Sequence, residues 1–299
     1  MERYIDEGVM RRFVDTLSEL EKSTATIRKY VRDVETFRGW IGRNKQVTKN
    51  AVLQFKQVLR EKYRLSSANS MISALNVFFK IVDWSECRIL TFKTQRATFR
   101  SEKKELTAPE FHRLLDAAED KGDTQIRLIM ETIAGTGIRI SELQFITVES
   151  LSTRRALVSL KGKSREVLLP VGLCRNLRKY CRERGINSGT IFVTRNGKPI
   201  DRSNILHRMK ALSASADVSR DKIFPHNLRH FFAVNYYKSE KDIVRLADLL
   251  GHSNINTTRI YTLISCESQL CILDKVEQKL FAGRYQQLEN RYEQPANCY

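Results

Sequence analysis

The sequence lacks the features that mark membrane, secreted or disulfide-bonded proteins. No stretch approaches the roughly 20 consecutive apolar residues that a membrane-spanning helix needs, and the N-terminus MERYIDEGVMRRF has no apolar signal-peptide region. The six cysteines form no CxxC pair, which favours reduced thiols over a zinc site or a disulfide framework. We therefore expect a cytoplasmic protein with no membrane partner.

Several catalytic signatures are also missing. There is no GxxxxGK[ST] phosphate-binding loop and no HExxH pair, and no cluster of carboxylates that a metal-dependent nuclease would need. We expect no cofactor and no metal, although His226 and His230, four residues apart, leave a metal site as an alternative.

Acidic residues are too few to balance the basic ones. Lys and Arg total 52 against 34 Asp and Glu, for a net charge of +18. Residues 1–100 carry 20 basic and 11 acidic side chains, so half of the excess lies in that third of the chain. Such an excess attracts polyanions, of which DNA is the usual one. Both halves are predicted to contact one long polyanion, with a generic basic protein as the alternative on charge alone.

Apolar spacing in the first 84 residues predicts a helical bundle. In STATIRKYVRDVETFRGWI the apolar residues recur at helical intervals behind Ser23 or Thr24 as N-cap. Further helices are expected around Thr48–Lys62 and Ser67–Val82. Basic residues between the apolar positions give this bundle a basic outer face.

The helical period then stops, and a second domain follows. Residues 86–104 are predicted to be an extended basic linker, and Thr107 with Glu110 indicates a capped helix start just after it. RALVSL and REVLLPV flank the turn KGKS and predict a β-hairpin, and 190–194 runs into a second turn at 195–198. The expected divisions are a helical domain 1–85, the linker 86–104, a second domain 105–283 and a tail 284–299. The expected fold class is mainly α with a small antiparallel sheet.

Two short segments in the second domain hold side chains suited to a phosphate. In GTGIRISEL a helix breaks at two glycines and Arg139 stands at the start of the next one, where its guanidinium can join exposed backbone N–H groups. In PHNLRH, His226 and Arg229 are three residues apart and share a helix face. His226 can exchange a proton near neutral pH, and Arg229 can bind phosphate oxygens bidentately.

Two later segments complete the set. In LGHSN, Gly251 is predicted to end a helix and to leave His252 in the turn that follows. Tyr261 follows nine residues later. Each residue alone has an ordinary structural interpretation, but together they supply what phosphodiester transesterification needs. The arginines Arg139 and Arg229 would neutralise a pentacoordinate phosphorane, and Tyr261 would attack the phosphorus.

The order of these segments resembles that of a known family. Arg, then HxxR, then GH, then Tyr, as found in TGIRISEL, HNLRH and LGHSNINTTRIYT, is similar to the tyrosine recombinase/integrase family. The resemblance spans roughly residues 17–264. It implies a helical, SAM-like core-binding domain followed by a mixed α/β catalytic domain.

The resemblance also implies roles for the residues that match the family's motifs. Arg139 and Arg229 would be the phosphate-clamping arginines, and His226 would transfer a proton and contact the phosphate. His252 would bind a non-bridging oxygen. Tyr261 would be the nucleophile, giving a 3′-phosphotyrosyl enzyme and a free 5′-hydroxyl.

The family further uses a lysine in a β-hairpin turn to protonate the leaving 5′-oxygen. Lys161, which directly precedes a glycine, is the first candidate, and Lys163 is the alternative. A DNA-contacting role for either lysine stays open. Glu142 matches the acidic position beside the first arginine and is expected to be structural.

The segment after Tyr261 differs in composition from the rest. Residues 262–299 carry four basic and five acidic side chains, with an apolar rhythm typical of an amphipathic helix. This helix would either pack on its own domain or, as the family implies, dock on a neighbouring protomer of a homo-tetramer. The implied partner is double-stranded DNA at a specific recombination site, with the reaction passing through a Holliday junction. Accessory directionality factors, and the choice among integration, excision, inversion and resolution, stay open.

Three other functions would account for part of this pattern. A type IB topoisomerase shares the chemistry but acts as a monomer, and the helical first domain and the apolar tail argue against it. A non-catalytic DNA-binding protein on the same fold would be expected to lack a motif residue, and none is missing. A metal-dependent nuclease would need the carboxylate cluster that the sequence lacks.

Overall fold

The computed structural model describes residues 3–42, 46–93, 105–160, 163–252, 254–262 and 270–281, without the side chains of residues 160 and 163. The chain divides into two compact units, Met1–Arg96 and Ala97–Tyr299. That division falls inside the predicted linker 86–104. The four-part division drawn from the sequence stays a prediction.

Helices build the N-terminal unit, and three of the four described there begin at a capping side chain. Ser23 accepts a hydrogen bond from the backbone N–H of Thr26, and Thr48 accepts one from that of Ala51. These caps satisfy donors that the first helical turn leaves unpaired. The three helices predicted from apolar spacing are confirmed within a residue or two as α2 (Thr24–Ile41), α3 (Lys49–Lys62) and α4 (Leu65–Ile81). They are preceded by a further helix, α1 (Glu7–Glu19), that the sequence analysis did not single out.

Aromatic side chains dominate the core of this unit. Phe37 packs against Phe55 and Phe79 at ring-centroid distances of 5.1 and 6.1 Å, and Phe13 meets Phe78 edge to face at 5.1 Å. Edge-to-face and tilted ring pairs add to the stability that apolar burial alone provides. The apolar stripes seen in the sequence therefore meet in one core. Arg28 and Arg32 stay exposed as predicted, but Arg38 is only 6% exposed and pairs with Glu7 and Glu35.

The first part of the predicted linker belongs to this core and is not free. Cys87 and Ile89 are buried in it. The side-chain amide of Asn76 both donates to and accepts from the backbone of Ile89, and Asn69 does the same with Phe92. These paired amides satisfy an extended backbone as a neighbouring strand would, so residues 87–92 lie fixed on the helices.

The C-terminal unit is mainly helical with one small sheet. Its first helix carries the predicted capping box, which is confirmed, since the Thr107 hydroxyl accepts from the backbone N–H of Glu110 and the Glu110 carboxylate accepts from that of Thr107. The elements are α5 (Ala108–Asp120), α6 (Thr124–Thr136), α7 (Val148–Thr153), β1 (Arg155–Leu160), β2 (Lys163–Leu168), α8 (Val171–Arg184), α9 (Arg202–Lys210), α10 (Pro225–Glu240) and α11 (Ile243–Leu250).

Helix α6 lies at the centre of this unit. It packs against α5, α8, α9 and α10, and its apolar side chains from Ile126 to Ile133 are almost all buried. It ends at Gly137, whose φ is +67° and whose hydrogen atoms face Phe232, where a Cβ would lie only 2.4 Å from a ring carbon. Glycine is required there both by the backbone angle and by the close packing.

The β-hairpin is confirmed, and its turn is shorter than the sequence indicated. β1 and β2 pair antiparallel from Arg155 opposite Leu168 to Leu160 opposite Lys163, so Lys163 opens β2 instead of lying in the turn. The segment 190–194 makes only isolated bridges, one of them between Val193 and Pro199. Proline has no N–H for a ladder, which limits the pairing there.

The segment after Tyr261 forms the predicted amphipathic helix over residues 270–281, called here the C-terminal helix. Its apolar side chains are exposed: Leu270, Ile272, Leu273, Val276, Leu280 and Phe281. The prediction for the tail 284–299 falls outside the described residues. Among the helices that the structure describes, none is long and apolar enough to cross a membrane.

Candidate active site

Helix α10 positions His226 and Arg229 one turn apart. The helix starts with Pro225, whose fixed φ suits a first helical position. His226 follows at the exposed rim, whereas Arg229 points inward and is only 2% exposed. Partial loss of hydration in the site lowers the pKa of His226 below its usual value, and the positive charges of Arg229 and Arg139 lower it further. This favours a neutral imidazole that can accept a proton.

Arg229 lies at the centre of the site, held by groups without charge. Its guanidinium donates to the carbonyl oxygens of Gly137 at 2.6 Å and Leu250 at 2.7 Å, and to Nε2 of His252 at 3.0 Å. These acceptors orient the side chain but do not neutralise it. Burial, together with the charge of Arg139, lowers the pKa of Arg229 to about 10, so the cation persists at neutral pH.

The contacts of His252 define its tautomer. Gly251 ends α11 with a φ of +63°, as predicted, and sends His252 back over the helix end. Since Arg229 can only donate, Nε2 of His252 must accept, and Nδ1 carries the proton that it donates to the Thr258 hydroxyl at 2.8 Å. Burial and the charges of Arg229 and Arg139 lower the pKa of His252 to about 4. His252 is therefore neutral at pH 7.

Arg139 reaches the site from the break after α6. It caps a 3₁₀ helix, Ile140–Phe145, where the sequence predicted the start of an ordinary helix. Glu142, only 2% exposed, accepts from the Arg139 backbone at 2.7 Å and from its guanidinium at 2.9 Å. Glu142 therefore has the structural position expected of it, while the Arg139 side chain remains 42% exposed and open to a ligand.

Tyr261 is buried beside these groups. It belongs to the 3₁₀ helix Arg259–Tyr261 and is only 3% exposed, with its ring 5.0 Å from that of His230 and 6.4 Å from that of His252. Burial raises the pKa of the phenol, while the charge of Arg229 and a hydrogen bond with it act in the opposite direction. The phenol is protonated at neutral pH and lies next to the central cation.

The arrangement has an excess of positive charge. Arg139, Arg165 and Arg229 act on one another electrostatically, and Glu142 is the carboxylate among them. A cationic, half-buried cluster of this kind binds an anion strongly because water screens it poorly. With a tyrosine hydroxyl beside the cations, a bound phosphodiester would meet a nucleophile as well as a charge clamp.

The structure brings together most of the residues singled out from the sequence. Arg139, His226, Arg229, His252 and Tyr261 all lie in this cluster. Lys161 falls outside the described residues. Of Lys163 the structure describes the backbone pairing with Leu160. The assignment of either lysine therefore stays a prediction.

Sequence reasoning missed two contributors. Arg165 in β2 binds Glu142, and His230 contacts both the Tyr261 ring and the Glu105 carboxylate, with 3.2 Å from Nε2 to the nearer oxygen. The signal for Arg165 was strand parity, because it shares a face with Val167 and Leu169, which are buried. An arginine on an inward-facing position needs partners, and this pattern could have marked Arg165 as a candidate.

Metal ligation by His226 and His230 was the other interpretation of PHNLRH. His230 is engaged with Glu105. Over the described ranges, no group of three or more His, Cys, Asp or Glu side chains could hold a metal ion.

The chain matches two family models. The model for the phage integrase family covers residues 104–267, and that for the N-terminal SAM-like domain of phage integrases covers residues 10–85. Together the two models cover most of the chain.

Relatives with curated names agree. The chain is 31% identical over 264 residues to the tyrosine recombinase XerA of Thermococcus kodakarensis, covering 85% of this chain and 90% of that protein. It is 26% identical over 287 residues to the tyrosine recombinase XerD of Vibrio cholerae, covering 88% and 93%. The fold also matches a lambda integrase tetramer bound to a Holliday junction, with a TM-score of 0.68, 17% identity and coverage of 85% and 76%.

The family match, the named relatives and the fold define a tyrosine recombinase. The chain belongs to the phage integrase family, whose relatives named above are tyrosine recombinases. The predicted class, the SAM-like first domain and the catalytic fold are thereby confirmed.

Proposed function

We propose that this recombinase cuts and rejoins double-stranded DNA at a specific site through Tyr261. The observation that carries the proposal is the convergence of Arg139, Arg229, His252 and Tyr261 in one cationic cluster. A phosphodiester bound between the two arginines would have its developing charge neutralised where it forms. The nucleophile already lies in contact with the central arginine.

The first step forms one bond and breaks another. The Tyr261 oxygen attacks the scissile phosphorus, the bond from phosphorus to the 5′-oxygen breaks, and a 3′-phosphotyrosyl link with a free 5′-hydroxyl results. We assign acceptance of the phenolic proton to His226, which its lowered pKa keeps neutral. A hairpin lysine, Lys161 or alternatively Lys163, would protonate the leaving oxygen. Because the phosphoester link conserves bond energy, a second 5′-hydroxyl can reverse the step.

His252 would contribute a different contact. In the ligand-free site its Nε2 accepts from Arg229 and cannot donate. A phosphate oxygen that takes over the Arg229 donor would release Nε2, and the negative charge would raise the pKa of His252. A protonated His252 would then donate to the non-bridging oxygen.

The exposed C-terminal helix supports assembly into a tetramer on two duplexes. Its apolar face is uncovered over residues 270–281, and such faces mark protein contacts. The lambda integrase of similar fold is a tetramer on a Holliday junction. We assign a second protomer to the apolar face of the C-terminal helix, with strand exchange through a Holliday junction. A topoisomerase, by contrast, would act as a monomer.

Covalent capture tests the proposed chemistry. Purified protein is incubated in EDTA with fragmented DNA from its source and with a nicked duplex library that traps cleavage, then quenched in SDS. Wild type should yield adducts joined through Tyr261, whereas Tyr261→Phe should bind DNA equally and yield none. Tyr63→Phe, at a tyrosine that is 42% exposed just after α3, is the matched control. Adducts from Tyr261→Phe would contradict the assignment of the nucleophile.

A further inference from the structure

Arg165 is a cation on the inward face of a strand. It shares a face with the buried Val167 of β2, and its side chain is only 16% exposed. Burial lowers the pKa of Arg165, with the nearby Arg139 adding to the effect and Glu142 opposing it. An arginine is rarely placed in such a position without partners that orient it.

Its two partners lie in different parts of the site. One terminal nitrogen donates to Glu142 at 2.7 Å, and the other donates to the carbonyl oxygen of Leu249 at 2.6 Å. Glu142 is the carboxylate that holds Arg139. Leu249 lies in the last turn of α11, whose carbonyls have no partner within the helix, three residues before His252.

A third contact involves the stem of Arg165. A Cβ added at Gly251 would lie 2.4 Å from Cδ of Arg165, so the arginine packs directly on the backbone that turns toward His252. Gly251 is thus required by its left-handed φ of +63° and also by this close approach. One side chain thereby contacts both the partner of Arg139 and the turn that carries His252.

We propose that Arg165 is a positioning residue that holds Arg139 and His252 at a fixed separation across the scissile phosphate. This inference rests on the proposed function. Arginine suits the role because its planar fork sends two donors to separated acceptors, whereas lysine has a single nitrogen. Arg165 acts through Glu142 and through the end of α11. Arg165 itself makes no bond to the reacting phosphate.

The first test replaces the fork by an apolar chain of similar length. Arg165→Met should lower single-turnover cleavage of a nicked duplex at saturating DNA by roughly 10²-fold, as small displacements of catalytic groups do, with DNA affinity nearly unchanged. Arg165→Lys, which restores a charge but only one donor, should recover part of the rate. Arg155→Met is the matched control, since this exposed arginine of the same hairpin has, among the described residues, a single ion pair, with Glu166 at 3.6 Å.

A charge-free substrate separates positioning from general support of the fold. A methylphosphonate at the scissile position replaces one non-bridging oxygen by methyl and needs less charge neutralisation. If Arg165 positions the clamp, the deficit of Arg165→Met relative to wild type should shrink on this substrate. An equal deficit on both substrates would overturn the inference.

A double-mutant cycle tests the route through Glu142. Glu142→Gln keeps the volume of the side chain, and the pair Arg165→Met with Glu142→Gln should lose little more activity than either change alone. Additive losses would overturn that route. If wild type forms no adduct, the proposed function fails and this inference with it, whereas full activity of Arg165→Met beside an active wild type overturns the inference alone.

Discussion

The cationic cluster buries a charged side chain, whereas the C-terminal helix exposes apolar side chains, and both depart from the usual pattern of burial. In the cluster, Arg229 is 2% exposed and surrounded by neutral acceptors. In the C-terminal helix, Leu273 and Leu280 are 52% and 68% exposed although nothing in their chemistry favours water. Soluble proteins normally place these residue types the other way round.

The two inversions teach different things about where the binding partner comes from. A buried cation is oriented by its own chain, so the cluster is built to receive an anion that enters from outside. An exposed apolar face is not completed by its own chain among the described residues, and the proposed function assigns a second protomer to it. Under that proposal, chemistry and assembly occupy separate parts of the C-terminal unit.

The largest expected effect concerns the two arginines of the cluster. Arg139→Met and Arg229→Met should each reduce cleavage by about 10²–10³-fold, because each removes one charge-stabilising contact. Only Arg229→Met should also destabilise the fold, by roughly 1–3 kcal/mol, because it leaves the carbonyls of Gly137 and Leu250 unpaired.

Single-turnover cleavage and urea unfolding of both variants check this pair of expectations. Arg127→Met, which breaks a pair with Glu131 on α6 away from the cluster, is the control for loss of an arginine. Equal loss of stability in Arg139→Met would mean that the exposed arginine is as structural as the buried one.

The next largest effect concerns the C-terminal helix. Leu273→Glu places a charge on its apolar face and should weaken assembly on paired duplexes by at least about 10-fold, as loss of a central interface contact does. Binding of one protomer to DNA and thermal stability should not change, since Leu273 is exposed. Sedimentation of protein on a synthetic four-way junction measures the assembly.

Gln278→Glu introduces the same charge away from that face and is the matched control. It should assemble like wild type. If Leu273→Glu instead lowered thermal stability and left assembly intact, the helix would pack on its own protomer.

Local patterns carried most of the fold prediction. The caps at Ser23, Thr48 and Thr107 and the terminator Gly251 all act within one helical turn, so the sequence shows them directly. The attachment of residues 87–92 depends instead on Asn69 and Asn76, which lie far away in the chain. Contacts between residues so far apart in the chain leave no periodic signal. The sequence therefore predicts an extended linker for this segment.

The site divides in the same way. The order of the motifs, together with the resemblance to a family, predicts that five residues form one group: Arg139, His226, Arg229, His252 and Tyr261. The burial of Tyr261 and the neutral tautomer of His252 depend on three segments meeting in space. Arg165 binds Glu142, which is 23 positions away, and Leu249, which is 84 positions away, and no motif of fixed spacing contains it.

The smallest expected effect is on the pH dependence of stability. His252 has a folded-state pKa of about 4, because of burial and the adjacent Arg229 and Arg139, against about 6.5 in an unfolded chain. Between these values the unfolded chain binds a proton that the folded one does not. The contribution of His252 to stability therefore rises with pH from 4 to 6.5 and is constant above that.

His252→Gln should flatten the rise in the free energy of unfolding between pH 4 and 6.5, measured by urea denaturation without DNA. Some slope should remain, since the pKa of His226 is also lowered. His112→Gln, on the exposed side of α5, controls for loss of a histidine elsewhere. Should His252→Gln and His112→Gln give the same pH profile, the neutral His252 that accepts from Arg229 would be ruled out. The ligand-free cluster would then differ less from the exposed surface than its burial implies.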